Sequence, residues 1–250
     1  MITLNSQDSA HKAWLYRVLV AIVDNKNLAH LYFKGGTAAA MAGYLDRFSV
    51  DLDFDFVGAE TDIADIRREL KKIFKDLGLE IKDESTKVPQ YFLKYPTKDS
   101  SSRNTLKIDI TFPAPSANIY EPIKLNDINR IVMCQNIATM FANKLVAAVD
   151  RFERNNSIAG RDIYDIHHFF FNGYKYNTQV IKERTGLSLI EFFKNLETFI
   201  DKHISETILD QDLNPLILYE RFRQIRKTLK AETLMFLAEE INKLKIEKNI

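Results

Sequence analysis

The sequence predicts an α+β chain, with a mixed β-sheet core over residues 1–128 followed by an all-helical C-terminal domain over 129–250. Three observations carry this. Residues 49–57 (SVDLDFDFV) and 105–112 (TLKIDITF) alternate apolar and polar side chains with the period of two that strands show. From about Gln135 onward, apolar residues recur at helical spacing in segment after segment. Between the two patterns, residues 113–130 hold Pro113, Pro115 and Pro122, which mark a break.

The elements follow in order. Residues 8–24 place Trp14, Leu15, Val18, Leu19, Ile22 and Val23 at helical spacing, so this segment is an amphipathic helix. A short apolar run, Leu31-Tyr32-Phe33, leads into the turn Lys34-Gly35-Gly36-Thr37 and then a helix of small residues over 38–45. In strand 49–57, Leu52, Phe54 and Phe56 face one side and Asp51, Asp53 and Asp55 the other. Asp62 is expected to cap a helix that runs to about Leu77 and stops at Gly78. Further strands are predicted at 79–83, 90–95, 105–112 and near 129–133. Helices are predicted over 135–152, 161–171, 178–185, 188–203, 215–228 and 230–247.

Composition bounds the function. The 250 residues are 46% hydrophobic, enough to bury one large core or two modest ones. The net charge of +1 announces no polyanion partner for the chain as a whole and leaves a local basic patch open. Cys134 is the single cysteine, so no internal disulfide and no Cys-rich zinc site is available. The N-terminal residues lack the basic-then-apolar plan of a signal peptide, and no apolar run approaches the roughly 20 residues that span a bilayer. The expectation is a soluble cytoplasmic protein with no membrane partner.

The aspartate strand carries the chemistry. Carboxylates at i and i+2 of a strand project from one face, roughly 7 Å apart. Hard oxygen ligands suit magnesium, and a two-metal site can activate an attacking hydroxyl while neutralising a leaving pyrophosphate. Asp51 and Asp53 meet this requirement, and Asp109 on the neighbouring pattern, flanked on its face by Lys107 and Thr111, is the candidate third metal ligand. A merely solvated face is the plainer alternative, but aspartate is depleted in strands and three stacked carboxylates repel one another. Asp55 is left out of the metal set because it is expected at the strand end, in solvent.

The Gly35-Gly36 turn lets a backbone approach phosphate closely, ahead of free helical N–H groups. Thr37 is placed to cap the helix or to donate to a phosphate oxygen. Alone, the glycine pair reads equally as a plain tight turn; its position about 15 residues before the aspartates gives it weight. It fits neither a Walker loop nor a Rossmann fingerprint. Arg47 and Ser49 precede the aspartates, with Arg47 open to an ion pair with Asp51 or to a substrate phosphate. In the helical half, Lys144 lies at the edge of the apolar stripe of its helix, where it either snorkels or projects into a cleft. Asp162 and Asp165 share a face at i and i+3, as first-turn acids that favour the dipole or as groups that fix Lys144, Arg161 or a nucleotide. His167 and His168 read as core or edge residues.

Taken together, FKGGTAAAMAGYL, RFSVDLDFDF, LKIDITF, NKLVAAVDR and RDIYDIHHF resemble the AbiEii/AbiGii-type (MenT-like) toxin family of the DNA polymerase β-like nucleotidyltransferase superfamily, across roughly residues 30–172. The resemblance implies a mixed β-sheet nucleotidyltransferase core with a helical C-terminal domain. It implies a triphosphate held at Gly35 and Gly36 and magnesium at Asp51 and Asp53; the residue pattern adds Lys34, Thr37, Arg47 and Ser49 as nucleotide-binding candidates. It also implies nucleotide-site roles for Lys144 and for Asp162, with Asp165 as the second candidate for the latter. Such proteins act as toxins of toxin–antitoxin or phage-defence systems, restrained by a cognate antitoxin, and some add nucleotides to tRNA. Val50 stands where the family often has Glu. The expected activity is magnesium-dependent transfer of a nucleoside monophosphate from a nucleoside triphosphate to an acceptor such as tRNA. A small-molecule (antibiotic-type) nucleotidyltransferase and a non-catalytic nucleotide-binding module are the alternatives.

Overall fold

Seven strands pair into one mixed sheet in the order β3-β4-β5-β2-β1-β7-β6, and ten α-helices accompany them among the described residues. The computed structural model describes residues 1–2, 5–97 and 104–248. The chain forms two compact units, one of Met1–Ala114 with Tyr120–Gln135, the other of Pro115–Ile119 with Asn136–Ile250. The last strand belongs to the sheet, because its hydrogen bonds lie there, and a five-residue segment before β6 belongs to the helical unit.

In the first unit, α1 (Ser6–Val23) is capped by Asn5, whose side chain accepts from the Asp8 N–H. Strand β1 (Leu31–Lys34) passes directly into α2 (Gly35–Met41), and β2 (Asp51–Phe56) follows. A 3₁₀ turn at Glu60–Asp62 opens α3 (Ile63–Asp76), and Gly78, at φ +70°, ends it as expected. Asp62 stands at the cap position but gives α3 no side-chain cap bond. Then come β3 (Glu80–Glu84), β4 (Gln90–Lys94), β5 (Thr105–Thr111), β6 (Tyr120–Leu125) and β7 (Arg130–Gln135). Sequence periodicity misses β6: Pro122 interrupts it, which only an edge strand tolerates, and β6 is an edge.

The predicted alternation places the core. Leu52, Phe54, Leu106, Ile108 and Ile110 are buried on one face, as are Leu15, Val18, Leu19 and Ile22 of α1 and Ile66, Leu70 and Phe74 of α3. The Phe33 and Phe54 rings meet at 5.3 Å and those of Phe74 and Tyr91 at 5.1 Å. Each such side chain contributes about 1.5–3 kcal/mol by leaving water, so the sheet is anchored on this face.

The second unit is helical: α4 (Ile137–Asn155), α5 (Gly160–Phe171), α6 (Thr178–Thr185), α7 (Leu189–His203), α8 (Glu206–Leu213), α9 (Tyr219–Ile225) and α10 (Leu229–Lys248). The predicted helix 215–228 is shorter than expected, and α8, a polar two-turn helix capped by Ser205, precedes it. Aromatic residues knit this unit, with Phe141 against Phe169 and Phe170 and Tyr176 against Phe193. Segment 115–119 is tied to it by Glu183, which accepts from the Ser116 and Ala117 N–H groups at 2.7 Å each. No helix among the described residues is long and apolar enough to cross a membrane.

Candidate active site

The polar face of the sheet brings the predicted carboxylates together through backbone register. Strands β2 and β5 run parallel with Asp53 opposite Asp109, Asp51 opposite Lys107 and Asp55 opposite Thr111. On the other flank, Lys34 of β1 lies opposite Asp53. Three strands thus deliver Asp51, Asp53, Asp109 and Lys34 to one face, because side chains at even spacing point the same way.

The glycine turn sits against this face. Gly35 has φ +80°, a left-handed conformation that favours glycine, and a Cβ built there would meet the Asp53 carboxylate, with Cβ and Cγ both at 3.0 Å. A Cβ on Gly36 would meet Arg47 Nη2 at 2.7 Å and Ser49 Oγ at 3.0 Å. Gly35 is therefore required by its backbone conformation and its close approach to the aspartate strand, and Gly36 packs closely on the residues before that strand. Behind them, the fully buried Thr37 hydroxyl donates to the Asp51 carbonyl at 2.5 Å and shares a hydrogen bond with the Ser49 hydroxyl at 2.9 Å. Its single proton is committed to a carbonyl, which only accepts. Thr37 gives α2 no side-chain cap bond; its hydroxyl pins the turn to the carboxylate strand. Arg47, also buried, donates to the Phe48 carbonyl at 2.9 Å.

The carboxylates differ in their partners. Among the described residues, no hydrogen bond or ion pair reaches the Asp51 or Asp53 side chain. Burial pushes the Asp53 carboxyl up to about 6, with the neighbouring charges of Asp51 and Asp109 adding to the shift and Lys34 and Lys107 opposing it. Asp109 is held at one oxygen, Oδ2, by Lys107 at 2.6 Å and by Gln90 at 2.9 Å. This explains why, among the described residues, no three ligating side chains converge into a ready metal cage. The donor set itself, three carboxylates that repel one another on one face, suits a hard divalent cation. The second oxygen of Asp109, Oδ1, is not engaged by Lys107 or Gln90.

Asp55 overturns its expected place in solvent. It is fully buried, with Lys34 Nζ at 2.7 Å on one oxygen and Tyr120 Oη at 2.9 Å and Gln135 Nε2 at 2.6 Å on the other. Lys34 also donates to Thr111 Oγ1 at 2.6 Å, so it straps β1 across β2 to β5. His11 of α1 was invisible in the sequence, where it stands as an isolated histidine. It is fully buried, with Nε2 2.8 Å from the Val50 carbonyl and Nδ1 2.9 Å from Tyr95 Oη. The carbonyl must accept, so Nε2 carries the proton and His11 fixes the backbone immediately before Asp51.

In the helical unit, Lys144 lies 3.1 Å from Asp162 Oδ1 and 3.0 Å from Asp165 Oδ2. Both aspartates are buried, and Arg151 approaches Asp162 Oδ2 at 3.3 Å. Of the readings open for Asp162 and Asp165, the fixing of Lys144 is realised by both. His167 is buried and bonded to Glu232 at 2.7 Å, a core role as expected.

The sequence profile of the AbiEii family, described as a nucleotidyl transferase toxin of a type IV toxin–antitoxin system, matches residues 17–238. The chain belongs to the AbiEii nucleotidyltransferase toxin family. It is accordingly a nucleotidyltransferase, as the resemblance implied. Among solved structures it is similar to JHP933 from Helicobacter pylori, with 23% identity, a TM-score of 0.62 and coverage of 99% of this chain and 97% of that one. It is also similar to MenT4, a nucleotidyltransferase toxin from Mycobacterium tuberculosis, with 14% identity, a TM-score of 0.54 and coverage of 93% and 84%. These likenesses show the shared fold. No curated protein sequence matches the chain. Within the AbiEii family frame, the sheet unit carries the aspartate strand and glycine turn and the helical unit carries the RD-x-x-D helix.

Proposed function

We propose that the protein transfers a nucleoside monophosphate from a nucleoside triphosphate to an RNA acceptor such as tRNA, with magnesium as cofactor. The observation that carries this reading is the pair of carboxylates, Asp51 and Asp53, without a hydrogen-bond or ion-pair partner among the described residues, beside a glycine turn whose backbone approaches the aspartate strand closely, with Asp109 in register opposite Asp53. Asp51 and Asp53 would hold the metal, and Asp109 would complete the set. Bound magnesium would supply activation of the acceptor hydroxyl and neutralisation of the departing pyrophosphate. The backbone of Gly35, Gly36 and Thr37 receives the phosphates, and the Arg47 guanidinium and Ser49 hydroxyl beneath Gly36 shape that cradle and add positive charge. Lys34 acts on the site through its charge and its strap to Asp55. For Lys144, Asp162 and Asp165 the nucleotide-site role rests on the family resemblance alone. The same resemblance supports a cognate antitoxin as partner, a place in phage defence and a cytoplasmic location.

Incubation with each labelled nucleoside triphosphate, magnesium and total RNA tests the reading. Wild type should label RNA, and Asp53→Ala should abolish labelling while keeping the circular dichroism spectrum and a cooperative unfolding transition. Labelling retained by Asp53→Ala overturns the site assignment. Labelling of small acceptors in place of RNA moves the protein to the antibiotic-type reading.

A further inference from the structure

The surface around α9 is charged unlike the chain as a whole. The net charge of the protein is +1, yet residues 219–230 carry Arg221, Arg223, Arg226, Lys227 and Lys230 against Glu220 alone. Part of this charge is used internally. Arg226 pairs with Asp210 at 2.9 Å, and Lys230 donates to the Asp201 carbonyl at 2.7 Å. Arg223 and Lys227 differ from these. Both are exposed, and among the described residues neither has an acidic partner. Tyr219, 62% exposed, lies one turn before Arg223, whose guanidinium sits 5.8 Å from the centre of its ring. Phe222, Ile225 and Leu229 are buried, while Tyr219 and Arg223, spaced by four on α9, share its solvent side and Lys227 is exposed in the turn that follows.

We propose that this stripe of Tyr219, Arg223 and Lys227 is a docking surface for single-stranded RNA, with phosphates on the two cations and a base stacked on the tyrosine. Uncompensated cations on an otherwise neutral chain attract a polyanion and release its counterions. Charge alone would serve an acidic peptide equally well. The exposed ring beside the cations decides for RNA, because every base offers a face to stack and single-strand binders combine these two features. The inference rests on the RNA-acceptor reading above and adds where the acceptor is gripped.

Fluorescence anisotropy of the full chain with a labelled single-stranded oligoribonucleotide, in a salt series, tests it. Arg223→Gln with Lys227→Gln should weaken binding at least about tenfold and make the salt slope shallower by about 1.4, two contacts at roughly 0.7 each. Tyr219→Ala should weaken binding about tenfold and leave the slope unchanged. All three side chains are exposed, so thermal unfolding and nucleoside triphosphate binding should match wild type. Unchanged RNA affinity in these variants overturns the docking surface, and loss of polyglutamate binding with RNA affinity intact reassigns it to a protein partner. If wild type still labels RNA while the stripe variants bind it normally, only the docking surface falls. If wild type neither binds nor labels RNA, the acceptor reading falls and takes the stripe with it.

Discussion

Asp53 and Asp55 are the same residue, two positions apart on one face of one strand, and their surroundings are opposite. Asp55 is sealed from water and receives Lys34, Tyr120 and Gln135. Asp53 is half-buried, faces the glycine turn, and has as charged neighbours two further carboxylates whose repulsion Lys34 and Lys107 oppose without a direct ion pair to it. A buried carboxylate with both oxygens hydrogen-bonded is a structural part. One crowded by like charges and left without a hydrogen-bond donor is waiting for a cation. The difference teaches how a fold stores a metal site: it stabilises the strand at Asp55 and leaves the repulsion at Asp53 for the ligand to relieve.

The largest test of this contrast is Asp55→Ala. It leaves the Lys34 ammonium without its carboxylate in a mostly buried position, and urea unfolding should show a loss of about 3–5 kcal/mol. A loss below about 1 kcal/mol would mean the Asp55 network is not the anchor described. Next in size is Gly35→Ala set against Gly78→Ala. Both glycines have positive φ, but a Cβ on Gly78 meets nothing within 4 Å while one on Gly35 collides with Asp53. Gly78→Ala should cost only the backbone term of about 1–2 kcal/mol and keep activity. Gly35→Ala should cost more and eliminate transfer by displacing Asp53. Equal effects in the two variants would show that the close approach has no consequence.

The smallest effect is a slope. In metal-free protein the Asp53 carboxyl is raised from its ordinary 3.8 to about 6. Between these values the folded state binds more protons than the unfolded one, so its contribution to stability falls as pH rises through that window. This is the reverse of a salt-bridged aspartate. Compared with Asp53→Asn, wild-type stability should therefore decline between about pH 4 and about pH 6, by at most about 1.4 kcal/mol per pH unit. Magnesium should suppress the decline and release protons on binding. Parallel pH profiles for the two proteins would place Asp53 outside the carboxylate cluster.

Much of the fold was legible because it rests on local periodicity. The alternation of Leu52, Phe54 and Phe56 against Asp51, Asp53 and Asp55 fixed both the core face and the polar face of β2, and Gly78 marked the end of α3. What escaped was set by position in the sheet. Strand β6 breaks the pattern at Pro122 and exists because it lies at an edge, where a missing N–H costs no ladder bond. The boundary between the units followed the hydrogen bonds of β7, which no local composition records.

The sequence by itself determined that three carboxylates share a strand face close behind a glycine turn, because spacing along a strand dictates direction. Only the tertiary structure decided which of them would be neutralised. The answer depends on Lys34, Tyr120 and Gln135, and on His11 holding Val50, residues brought from other elements by chain pairing. Electrostatic partners act through space over a few ångströms, whatever their distance along the chain, so a one-dimensional pattern reveals the charges but not their counterweights.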